Sequence, residues 1–187
     1  MSLADGPPPL KPRARKPSRR ARAARAPLSE DAVIDAALSI LKSDGLDAVT
    51  MRRVATALDT GAASLYVYVD GREGLLQMML DRVIATVKLE GPEPSRWRPE
   101  LHSLLTRLHE ALVGHPGIAE LTVLDPPDAV LKLSENLQGI LLAGGIDPQD
   151  AVRASDMLMA LVKTTAAEDE EWLRFAIDVV IHGLLAR

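Results

Sequence analysis

Two short runs of side chains are arranged to meet a polyanion. The first is Thr50-Met51-Arg52-Arg53-Val54-Ala55-Thr56-Ala57-Leu58. The second is Gly61-Ala62-Ala63-Ser64-Leu65-Tyr66-Val67-Tyr68-Val69, with Arg72 just beyond it. Thr50 is suited to an N-cap, which places its hydroxyl and amide where a phosphate docks on a helix start. Arg52, in the first turn of that helix, has the reach for a guanine edge or a phosphate oxygen. Ala62 and Ala63 offer methyl contacts to thymine methyls, and Ser64 offers a hydroxyl. Tyr68 can lay its ring on a sugar and turn its hydroxyl to a phosphate, and Arg72 can clamp the backbone. Ordinary packing is the competing reading for Tyr66 and Tyr68. They sit two apart on a short helix, however, so both cannot face a core.

These residues need a scaffold that holds two short helices at a fixed angle. Ser29, followed by Glu30 and Asp31, opens a supporting helix whose apolar positions include Val33, Ala37 and Ile40. Gly45 closes it. A second helix is expected over Met51–Leu58 and a third over about Ala62–Val67, joined by a tight turn containing Gly61. Val54, Ala55, Leu58, Leu65 and Val69 are the expected inward anchors. The pattern is a helix-turn-helix, in which the second helix of the pair enters a major groove. Its recognition helix opens on Gly61-Ala62-Ala63, which carries little hydrogen-bonding capacity, so direct readout leans on Arg52 and Ser64.

The two runs together with Arg72-Glu73-Gly74-Leu75-Leu76 resemble the DNA-binding domain of the TetR family of bacterial repressors over residues 29–76. The Trp97…His115-Pro116 segment and Phe175-Ala176-Ile177-Asp178…Gly183-Leu184 look like a tetracycline-repressor-type C-terminal domain. The resemblance implies that Thr50, Arg52, Ala62, Ala63, Ser64, Tyr66, Tyr68 and Arg72 meet a double-stranded DNA operator. It implies a homodimer formed by the last two helices, with recognition helices roughly 34–36 Å apart on a palindrome. It further implies a small-molecule effector that releases the DNA. Asp59 departs from the family pattern, standing where a small residue often closes the second helix.

Charge is divided along the chain. The whole carries 22 Lys and Arg against 26 Asp and Glu, a net charge of −4. Residues 1–27 hold eight bases and one acid, and six of the thirteen prolines. Such a segment is expected to be disordered when free and to act as a basic arm toward phosphates. Residues 28–75 hold four bases and eight acids, so long-range attraction to DNA must come from the arm.

The remaining chain reads as helix. The Leu76, Met79, Leu80, Val83, Ile84 and Val87 series predicts a helix over about Arg72–Lys88, and Pro99 opens one that buries Leu101, Leu104, Leu105, Leu108 and Leu112. A short helix is expected after Pro116, another over about Asp128–Ala143, one from Asp147-Pro148 to about Ala166, and a last from around Asp169. The expected architecture is all-α. A basic arm (1–27) precedes a three-helix DNA-binding domain (28–75) and a six-helix ligand-binding and dimerisation bundle (76–187). Met78, Met79, Trp97, His102, Leu105, His109, Met157, Leu158 and Leu161 are the candidate lining of a mostly apolar ligand pocket.

Other classes are disfavoured. The chain has no cysteine, hence no disulfide, thiolate metal site or cysteine nucleophile. His102 and His109 lie seven apart without a third ligand, Asp178 and His182 form an ordinary i, i+4 pair, and there is no phosphate loop, nucleophile elbow or zinc-protease motif. No enzyme, metal or cofactor is expected. The longest apolar run, Met157–Val162, is far too short for a membrane span, and no signal peptide is visible, so a cytoplasmic, bacterial protein, nucleoid-associated when bound to DNA, is expected. The competing function is an architectural DNA-binding protein without a ligand, for which a bundle of this size is costly.

Overall fold

A computed structural model describes residues 27–121, 125–165 and 170–186, and these residues are helical with no strand among them. Apart from Pro27, the basic arm lies outside the described residues, as do the expected helix ends at Ala166 and Asp169. The order is α1 (Glu30–Asp44), a 3-10 turn (Leu46–Ala48), α2 (Met51–Ala57), α3 (Ala62–Leu65) and α4 (Gly71–Ile84). Then follow α5 (Trp97–Val113), a 3-10 turn (Ile118–Glu120), α6 (Asp128–Ala143), α7 (Pro148–Thr164) and α8 (Glu170–Leu185). None of these helices is long and apolar enough to cross a membrane.

Helices α1 to α3 form the small head. Ser29 caps α1 by accepting from the Ala32 amide at 3.2 Å, and Gly45, at φ 82°, ends it. Val33, Ala37, Val54 and Leu65 are fully buried, which locks α2 and α3 onto α1. The turn between α2 and α3 falls over Asp59-Thr60-Gly61, where the sequence places it. Gly61 is extended (φ −82°, ψ 144°) and serves as the N-cap of α3. The left-handed residue is Asp59, at φ 50°. Aspartate is one of the few side chains that tolerate this region, which explains a larger residue at a position expected to be small.

The recognition helix is shorter than the Ala62–Val67 expected. Regular helix stops at Leu65, and Tyr66–Val69 continue as a tight turn in which the Tyr68 and Val69 amides both bond the Leu65 carbonyl. Similarly, α4 stops at Ile84. The Thr86 hydroxyl donates to the Val83 carbonyl at 2.6 Å and the Val87 amide to that of Ile84, so the apolar series ends in a tightened turn with Val87 still buried.

Among the described residues the larger body has five α-helices, α4 to α8, rather than six. The expected helix after Pro116 is the single 3-10 turn, entered through Gly117 at φ 91°. A Cβ at Gly117 would lie 3.1 Å from Cβ of Leu46, so the bundle meets the head here at backbone range. Helix α5 begins at Trp97, two residues before Pro99. A proline in the first turn loses no hydrogen bond, so it does not have to be the first residue. The core runs continuously from head to bundle through Leu75, Met79, Leu101, Leu104, Leu105, Leu137 and Leu141, all at or near zero exposure. Aliphatic side chains carry it, as the 3% aromatic content requires.

Candidate nucleic-acid interface

The Thr50 hydroxyl accepts from the Arg53 amide at 3.2 Å, so the expected cap forms and α2 starts where the sequence places it. Within the first turn of α2, Arg52 is exposed with no ion-pair partner among the described residues, whereas Arg53 pairs with Asp44 at 2.6 Å. The Ser43 hydroxyl donates to Asp44 and, with the Arg53 guanidinium, holds that carboxyl below its usual range. Arg52 is thus left to reach outward while its neighbour is spent within the head.

On α3 and its following turn, Leu65 and Val69 are buried and Ala62 is partly covered. Ala63 and Ser64 are exposed, and Tyr66 and Val67 are 59% and 81% exposed. One ridge therefore presents a hydroxyl, a phenol and small apolar groups, with Arg52 and Thr50 exposed on the neighbouring helix. Tyr68 is placed differently from Tyr66. It is partly buried, and its hydroxyl donates to the Leu28 carbonyl at 2.9 Å.

Arg72 turns back under the head. Its Nε donates to the Val49 carbonyl at 2.9 Å and Nη2 to that of Leu46 at 3.3 Å. It holds the segment leading into Thr50, and the remaining N–H groups of its fork stay open.

Sequence reasoning did not anticipate the joints around α4. Arg82 pairs with Asp31 and Asp35 on α1, the latter at 3.4 Å. Asp81 accepts from the Ala129 amide at the start of α6 at 2.8 Å, and the Gln77 amide donates to the Asp125 carbonyl at 2.7 Å. The i, i+4 spacing of Asp31 and Asp35 was the available signal, but nothing in the sequence names their partner.

The candidate pocket residues are scattered. Met79, Leu105 and Leu158 are fully buried core. His109 is buried with Nε2 3.0 Å from the Thr165 carbonyl, while His102 lies 3.0 Å from Asp178 on α8. These two histidines serve different neighbours, and His182 bonds the backbone carbonyl of Asp178 rather than its carboxylate. Met78 lines an outer groove with Glu30 and Asp128, Leu161 is partly buried, and Met157 is half-exposed. The Trp97 ring lies over Gly144, where a Cβ would be 2.5 Å from it. An apolar cavity of about 180 Å³ does exist in the bundle, walled by Leu80 and Ile84 of α4, Leu108 and Leu112 of α5, Val130 of α6 and Met159 of α7; none of the nine candidates lines it.

Residues 33–79 match the family described as bacterial regulatory proteins, tetR family. The TetR-family protein ActR of Streptomyces coelicolor, solved with (S)-DNPA, superposes with a TM-score of 0.78 at 28% identity, covering 86% of this chain and 98% of that one. The head of this chain belongs to the TetR family. Other relatives agree. BioQ, solved with its double-stranded DNA operator, gives a TM-score of 0.76 at 25% identity over 86% of this chain and 99% of that one. A curated HTH-type transcriptional regulator of Saccharopolyspora erythraea is 28% identical over 148 residues, 78% of this chain. The chain spans 62% of that relative's length. Membership explains why the exposed ridge sits on so small a head, since α1 to α3 are the part that the family match covers together with the first half of α4.

Proposed function

We propose that the protein is a homodimeric transcriptional repressor that reads a palindromic operator and is released from it by a small molecule. The observation that carries this reading is the exposed ridge of Ser64, Tyr66 and Val67 beside an outward Arg52, on a head whose other large apolar side chains are buried or partly buried. Thr50, Arg52, Ala62, Ala63, Ser64 and Tyr66 form the contact face. Tyr68 and Arg72 hold that face in place and offer their remaining polar groups to the DNA backbone. ActR's complex with (S)-DNPA and BioQ's with its operator support the two halves of the reading.

The dimer is assigned to α7 and α8, the last two helices. Phe175 and Val179 are 66% and 55% exposed, and with Trp172 and Gly183 they share one face of α8. An apolar stripe of this length on a surface helix is suited to a two-fold partner.

Release is assigned to α4. Within five residues that helix carries Leu80 and Ile84 on the cavity and Arg82 on α1. A ligand that shifts α4 moves the head through the Arg82 ion pairs. The shift cannot exceed the ligand's differential affinity for the two states, and a hundredfold release requires about 3 kcal/mol.

Selection of bound duplexes from a random DNA pool by the full chain tests the reading. The expected result is an enriched palindrome with half-sites about one helical turn apart. Retention of all duplexes without enrichment would favour an architectural DNA-binding protein.

A further inference from the structure

The cavity between α4, α5, α6 and α7 carries information about its occupant. Resting on the effector reading above, we propose that the effector is a small aliphatic carboxylate, its chain in the cavity and its carboxylate on Nζ of Lys163.

The walls are aliphatic or thioether, and among the described residues no aromatic side chain lines them. A flat aromatic ligand would find no ring to stack on, whereas a flexible alkyl chain fits walls made of Leu, Ile, Val and Met. The volume, about 180 Å³, is smaller than the roughly 300–1,000 Å³ of sites that hold drug-sized molecules. A short chain or a small ring is the size that enters.

Lys163, exposed in the last turn of α7, is the single charged residue of the lining among the described residues. Its Nζ donates to the Leu121 carbonyl at 3.2 Å, and it has no carboxylate partner among the described residues. An ammonium has three donors, so two remain for a ligand. Among the described residues no acid in the lining offsets its charge, which disfavours a cationic ligand. A carboxylate gains charge-assisted hydrogen bonds that an amide or alcohol does not. The position also suits the response. A chain anchored at Lys163 on α7 reaches across to Leu80 and Ile84 on α4, the helix tied to α1.

The test uses the full chain and straight-chain acids from butanoate to decanoate, each beside its neutral amide. Affinity is read by calorimetry, and release of the selected operator duplex is read separately. At least one acid is expected to bind about tenfold or more tightly than its amide. Lys163→Met should erase that ratio while leaving the amide's affinity within about twofold, and Lys163→Arg should keep most of it. Thermal unfolding of each variant shows that the fold is intact, and Lys163→Arg retains a readable result if Lys163→Met is unstable. An acid-to-amide ratio unchanged by Lys163→Met, or no binding by any acid of the series, overturns the proposal. Lys163-dependent acid binding without operator release supports the ligand class and removes the effector reading. Release driven equally by amides keeps the effector reading and overturns the carboxylate.

Discussion

The Tyr68 hydroxyl donates to the backbone carbonyl of Leu28 at 2.9 Å, across 40 positions of sequence. This bond ties the end of the recognition segment to Leu28, so the first described residues of the head sit beside the segment assigned to DNA. Tyr68→Phe removes the donor and leaves the ring. It should lower stability by about 1 kcal/mol, read by urea unfolding, and weaken operator binding more than that loss of folding accounts for.

Arg52→Ala and Tyr66→Ala are expected to leave the unfolding midpoint unchanged, because both side chains are exposed and Arg52 has no ion pair among the described residues. Each should weaken operator binding by about 1–3 kcal/mol, measured by fluorescence anisotropy on the selected duplex. Arg53→Ala is the control. It loses the Asp44 pair and should affect binding less.

Removing residues 1–25 takes away eight bases and one acid. The dependence of binding on salt concentration should become shallower, with a lower affinity at low salt. A slope unchanged by the deletion would show that the arm does not touch phosphates.

Gly144→Ala places a Cβ against the Trp97 ring, at 2.5 Å before any adjustment. The ring sits at the start of α5 and Gly144 at the end of α6, so the two helix ends must part or the indole must turn. A loss of about 1–3 kcal/mol is expected, with a shifted tryptophan emission that Trp172→Phe does not abolish.

Phe175→Glu and Val179→Glu put charges on the outer stripe of α8 without disturbing Leu173, Ile177 and Ile181, which face the core. Sedimentation should show monomers at concentrations where the parent chain is dimeric, with the helical content retained. Operator affinity should fall steeply, since a monomer binds one half-site.

Most of the fold is legible in the sequence because apolar spacing and caps agree locally. Ser29, Thr50 and Asp147 each cap the helix they precede, and the α5 stripe Leu101, Leu104, Leu105, Leu108, Leu112 is buried throughout. What failed to show was set by tertiary contact. Asp59 rather than Gly61 turns the chain, since glycine permits a left-handed turn without requiring one. The stretch after Pro116 forms one 3-10 turn because Gly117 lies against Leu46 of the head. Among the proposed contact residues, the exposure of Arg52 and Tyr66 is readable from position, but the inward bonds of Tyr68 and Arg72 depend on carbonyls that no side-chain pattern marks. The pocket was hardest to read. Helices α5 and α7 bury one stripe each, and sequence cannot say which buried residues border empty space.

The hydroxyl-radical footprint of the full chain on its selected duplex tests the central claim most directly. Two symmetric protected patches centred about one helical turn apart, both lost in Tyr66→Ala, are the result expected of a two-fold dimer reading with α2 and α3. Even, unphased protection that survives Tyr66→Ala would contradict it.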